Sequence, residues 1–164
     1  MISWLAWIPI IFFLVIIQKT VVGVLAFHHL SVDLTMIFVV FAGLNMSMAR
    51  GSVLTLWAGF LVSVLTGSVT ALFMCVYLVI FSLSHLISTR ILARTSLFIV
   101  CFTMLCAALE GILLMAINRY YLGVTGIEGM LWAILPQIPV LGILSPLFFH
   151  AFKKIEAVIH VRKY

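Results

Sequence analysis

Charge is what this chain has least of. Four Asp and Glu stand in 164 positions, and charged residues of both signs make up only 8%. With 66% hydrophobic residues and a mean hydropathy of +1.38, the chain has too little polar surface to cover a water-soluble core of its size. It reads as a polytopic membrane protein. Long polar intervals are lacking too, so no soluble domain is expected, and function must lie in the bilayer, at its faces or through partners. Cysteine is sparse: Cys75, Cys101 and Cys106 all fall in apolar runs, are odd in number and lack Cys-x-x-Cys spacing, which argues for packing residues over a disulfide framework. The familiar enzyme signatures are missing: no His-Glu-x-x-His, no Gly-x-Ser-x-Gly, no Walker-type loop and no paired carboxylates within one span. Nothing therefore points to catalysis or to a cofactor.

What is present is a series of apolar runs. A spanning helix needs roughly twenty apolar residues, and punctuation by Gly, Pro and charge divides the chain into six, at 2–22, 34–49, 51–66, 71–89, 96–117 and 130–152. The expected fold is an all-α membrane protein, one integral domain built as a bundle of six transmembrane helices. The first run lacks a basic leader and is too long for a cleavable signal, so it is expected to remain as an anchor. Trp4 and Trp7 near its start suit the membrane interface, as do Tyr120, Tyr121 and Trp132 around the loop expected at 118–129. Pro136, Pro139 and Pro146 predict a kinked or partly broken sixth helix, with a basic amphipathic tail from Phe152 onward at the membrane surface, near anionic lipid.

The net charge of +5 is informative through its placement and implies no nucleic acid. With six spans and cytoplasmic termini, the inside set is Arg50, Arg90, Arg94, Lys153, Lys154, Arg162 and Lys163, against Lys19 and Arg119 outside. This partition obeys the positive-inside rule.

Residues 50–67 carry a second pattern. Gly51, Thr55, Gly59, Ser63 and Gly67 recur every fourth position, so a helix displays them as one slowly drifting stripe. Small residues let a second helix approach closely where lipid supplies no hydrophobic drive. The stripe is thus a candidate seam for helix packing or for a partner, although small residues are also common in membrane helices in general.

Ionisable residues within spans are costly and become functional candidates. Glu110, in the fifth span, and Lys19, near the exit of the first, both fall in the outer half of the bilayer, at depths a Lys side chain can bridge. A Lys19–Glu110 pair is one expectation. The alternatives are a Lys19 that snorkels to the headgroups and a Glu110 that is protonated and hydrogen-bonded in the core. Gln18 and Thr20 can bond across helices as polar glue. Asp33 is expected to act as a capping or dipole residue at the start of the second span, with Ser31 a suitable N-cap before it. His28 and His29 are adjacent and lack metal-ligand spacing, and His85, His150 and His160 are isolated.

Taken in order, these features resemble the bacterial rod shape-determining MreD family. The likeness rests on Gln18-Lys19-Thr20 ending the first helix, Val32-Asp33-Leu34 opening the second, and Arg50 before a Gly-rich third helix that runs through Gly59 to Thr66-Gly67. Pro136 and Pro146 in the last helix and the basic end also match. Two positions depart: Val32 stands where many members have Pro, and Ser63 where many have Asp. The resemblance implies a non-enzymatic inner-membrane scaffold of the cell-elongation machinery that binds the bitopic protein MreC. Through it the chain would contact the MreB filament and the elongation-specific peptidoglycan synthases. It also implies a fold similar to the S-components of energy-coupling-factor vitamin importers. A small-molecule importer subunit is therefore the alternative, although the Ala-x-x-x-Ala that S-components often use for docking does not occur in this chain.

Overall fold

In a computed structural model of the chain, describing residues 7–25, 33–67, 70–90, 95–122 and 127–161, apolar sequence has folded into six α-helices. They are α1 (Trp7–Leu25), α2 (Leu34–Asn45), α3 (Met48–Thr66), α4 (Thr70–Arg90), α5 (Ser96–Leu122) and α6 (Ile127–Val161). Four of them contain stretches long and apolar enough to cross a membrane: Met48–Thr66, Leu72–Thr89, Ser96–Ile117 and Leu135–Ala157. These four mark the chain as a membrane protein.

The helices are organised around the shortest one. Every residue of α2 from Leu34 to Leu44 is buried, and α2 touches each of the other five helices. At 12 residues it rises about 18 Å, well short of a hydrocarbon core of about 30 Å. The expected second span at 34–49 is thus cut back. Met46 and Ser47 leave the helical region at φ −101°, ψ 157° and φ −67°, ψ 150°. The amide side chain of Asn45 turns back to donate to Phe41 O at 3.1 Å, the kind of local bond that competes with helix continuation. Arg50, expected between two spans, consequently lies in the first turn of α3.

A helix that ends inside a bundle needs partners for its terminal backbone groups. At the C-terminal end of α2 they come from α4: Ser88 Oγ donates to Leu44 O at 2.8 Å, and His85 Nδ1 lies 3.3 Å from Gly43 O while its ring stacks on Phe81. His85 is therefore tied to the central helix, contrary to its isolated look in the sequence. Gly43 makes the approach possible, because a Cβ there would collide with the Cβ of Ser84. At the same end, Trp7 of α1, Phe38 and Phe41 of α2, and Phe149 and Phe152 of α6 form one aromatic cluster with ring centroids 5.2 to 6.2 Å apart. Trp7, expected at the interface, is 4% exposed because it fills this cluster.

The remaining helices pair as antiparallel hairpins, α3 with α4 and α5 with α6. α6 runs unbroken through Pro136, Pro139 and Pro146 for 35 residues, about 52 Å. The expected break and separate tail are replaced by one helix, anchored by buried Phe152, that extends past the membrane core with Lys153 and Lys154 exposed. α5 and α6 also reach into the loop expected at 118–129, so Arg119 and Tyr120 are helical and exposed. Cys75 and Cys101 are exposed on outer helix faces and only Cys106 is buried, so the first two do not pack the core.

Candidate functional site

The opposite end of α2 is the most polar place in the interior. Asp33 is the N-cap, accepting from Thr35 N at 3.1 Å through Oδ1. α1 supplies Gln18, whose Nε2 donates to the same Oδ1 at 3.0 Å. Its Oε1 accepts from Thr35 N at 3.0 Å and from Thr35 Oγ1 at 2.7 Å. From α4, the Tyr77 hydroxyl donates to Asp33 Oδ2. From α5, the buried carboxyl of Glu110 lies close enough to interact electrostatically with Asp33. All five side chains are buried: Gln18, Asp33, Thr35, Tyr77 and Glu110.

This cluster lies inside the helix bundle, away from the ends of α1 and α4. Gln18 lies seven residues before the end of α1 and Tyr77 seven residues after the start of α4, so both sit about 10 Å inside their helix ends. The chain thus starts α2 within the bundle. There the amides of the first turn, which have no partner inside the helix, meet the Gln18 carbonyl and the Asp33 carboxylate in place of water. An ionised carboxylate accepts about four hydrogen bonds. Asp33 accepts from three described donors, Gln18, Thr35 and Tyr77. Glu110 is the second buried carboxyl of this cluster. Its Oε2 has no hydrogen-bond partner among the described residues.

The residues singled out from sequence are distributed unevenly over this geometry. Gln18, Asp33 and Glu110 meet. Thr20 does not join them: it is exposed and donates to Ile16 O one turn back at 3.0 Å. The side chain of Lys19 lies outside the described residues, as do His28, His29, Ser31 and Val32, and the Lys19–Glu110 pairing with it. Among the described residues, the carboxyl with which Glu110 interacts electrostatically is that of Asp33. Asp33 caps α2 as expected and, beyond that, is the hub of the cluster; the N-cap is Asp33 and not Ser31.

Along the stripe, Gly51, Thr55, Gly59 and Ser63 are buried, and the two glycines face α4. A Cβ on Gly59 would stand 2.9 Å from Met74 Cα, and one on Gly51 would run into the Phe81 ring. Gly67 departs from the others. It is exposed, with nothing within reach of an added Cβ, and ends α3 in the left-handed conformation at φ 66°.

Thr35 and Tyr77 escaped sequence reasoning. Tyr77 carried a signal in principle, since a tyrosine in the middle of an apolar run has a hydroxyl to satisfy. Thr35 follows the N-cap Asp33 by two residues, where its backbone amide is one of those the cap must serve. Chemically, the arrangement ties α1 and α4 by hydrogen bonds to the start of α2, with the buried Glu110 of α5 beside it. Comparison with protein-family models, curated proteins and solved structures gives no match.

Proposed function

We propose that the chain is a non-enzymatic membrane scaffold of the cell-elongation machinery, of the MreD type. The observation that carries this reading is the joint between Gln18 and the Asp33–Thr35 turn. The two short segments that carry the sequence resemblance, Gln18-Lys19-Thr20 and Val32-Asp33-Leu34, contribute the side chains that fix α1 to the central helix. The polar groups of Gln18 and Asp33 are spent on one another, on Thr35 and on Tyr77, which suits a role in shape and rigidity. The stripe supports the same reading from another side: its buried members serve a seam between α3 and α4 within the chain. A partner such as MreC would then engage a bundle already held together.

In this reading the protein lies in the bacterial inner membrane with both termini cytoplasmic and has an S-component-like arrangement of six helices. The MreB filament and the elongation-specific peptidoglycan synthases are reached through MreC. The test is co-purification of MreC from membranes carrying the wild-type chain or Asp33→Ala, normalised to the amount of protein. Specific capture by the wild type supports the scaffold. No capture at normal protein levels removes it.

A further inference from the structure

We propose that the groove between α1, α3 and α4 binds one anionic phospholipid, with an acyl chain laid along α3 and the phosphate held by Arg50. The groove is open, has a volume of about 490 Å³ and is walled by Ile8 of α1, Val53, Leu54, Trp57 and Phe60 of α3, and Met74 of α4. That volume falls within the roughly 300–1,000 Å³ of clefts that hold small molecules. Gly59 brings α4 against α3 behind it, since an added Cβ would stand 2.9 Å from Met74 Cα. Trp57 and Phe60 stack with ring centroids 6.0 Å apart and are 41% and 40% exposed, so two large rings remain open to lipid.

Arg50 marks one end of the groove. It precedes Val53, Leu54, Trp57 and Phe60 by three, four, seven and ten residues, so the helix carries all five on one face. Its side chain is exposed and, among the described residues, has no hydrogen bond or ion pair. The described carboxylates are elsewhere: Asp33 and Glu110 are buried in the interior, and Glu156 lies on α6, which makes no contact with α3. A guanidinium pairs bidentately with a phosphate. With no described carboxylate beside it to meet an ammonium, a net-anionic headgroup is favoured over a zwitterionic one. The positive field at the start of α3, where Ser47 makes no side-chain cap, adds to the attraction without being required for it.

Depth selects the occupant. Met48–Thr66 is 19 residues, about 28 Å of helix, and so matches a hydrocarbon core of about 30 Å. Arg50, in the first turn, then stands at headgroup level, and Phe60 lies about 15 Å deeper. The groove therefore ends near the middle of the membrane, the depth of one leaflet's acyl chain. A transmembrane helix of a partner or of a second copy would need a groove that crosses the whole core.

The test is native mass spectrometry of the full chain in detergent, titrated with phosphatidylglycerol or with phosphatidylcholine of the same acyl chains. The wild type should retain one phosphatidylglycerol in preference to phosphatidylcholine. Arg50→Gln should lower the affinity for phosphatidylglycerol about fivefold, the effect of one basic group near a membrane surface, and leave phosphatidylcholine unchanged. Val53→Trp, which fills the groove from an exposed position, should displace both lipids. Lys154→Gln, which removes an exposed cation on α6 away from the groove, should change neither. Equal retention of the two lipids, unchanged phosphatidylglycerol binding by Arg50→Gln, or an equal loss with Lys154→Gln would each overturn the proposal. So would a wild type that retains no lipid and forms a dimer broken by Val53→Trp, which would give the groove to a second copy. Arg50, Val53 and Lys154 are all exposed, so these variants should fold; if one does not, the wild-type preference decides by itself.

Discussion

The hydroxyl of Tyr77, from the middle of α4, donates to the carboxylate of Asp33 at the buried start of α2, across 44 residues of sequence. Because Asp33 is acceptor-only when ionised, this bond fixes the direction of the tyrosine as well as the position of the helix. Tyr77→Phe keeps the ring packing and removes only the donor. It is expected to cost about 1.5–3 kcal/mol, as for a hydrogen bond to a charged group. Thermal unfolding in detergent, compared with the wild type, reads the loss directly; an unchanged melting temperature would show that the bond contributes nothing.

Asp33→Ala removes the acceptor for Gln18, Thr35 and Tyr77 together. Breaking a buried charged hub in this way is expected to cost about 3–5 kcal/mol, enough to lower steady-state protein levels. Asp33→Asn should be milder, because its amide oxygen can still accept from Thr35 and Gln18. Immunoblots of membranes from cells expressing each variant give the ranking. Equal levels of both variants and wild type would contradict the hub.

Gly59 and Gly67 separate two uses of glycine within one stripe. Gly59→Ala places a methyl 2.9 Å from Met74 Cα, so α3 and α4 must part, at about 1–3 kcal/mol. Gly67→Ala meets no neighbour and strains only a left-handed cap at φ 66°, at about 1–2 kcal/mol. Cysteine crosslinking between α3 and α4 distinguishes them: Gly59→Leu should lower crosslinking efficiency, and Gly67→Ala should leave it unchanged.

Trp7→Ala empties the aromatic cluster where α1, α2 and α6 meet and is expected to cost about 3–5 kcal/mol. The local consequence is faster hydrogen exchange toward the C-terminal end of α6, around Phe149 and Phe152. If exchange in α6 is unaffected, the cluster does not anchor that helix.

These contacts also show what a linear reading can reach. Apolar length located α3 and α4 to within a few residues, because lipid-facing helices must be both long and apolar. The same criterion overextended α2, since 34–49 holds neither charge nor proline and only the backbone at Met46 and Ser47 reveals the turn. Gln18, Asp33 and Glu110 stood out as expensive residues in an apolar chain, yet their mutual partner is set by tertiary depth. Nothing in spacing alone places the start of α2 about 10 Å inside the ends of α1 and α4. Proline marked α6 for a kink or partial break, and the helix continues without a break through Pro136, Pro139 and Pro146.

The most direct measurement is depletion of the protein in its host, followed by microscopy and complementation with wild type or Asp33→Ala. Rounding of depleted cells, restored by the wild type and not by Asp33→Ala, is the predicted result. Cells that keep their rod shape while acquiring a requirement for an external vitamin would contradict the scaffold and favour the importer.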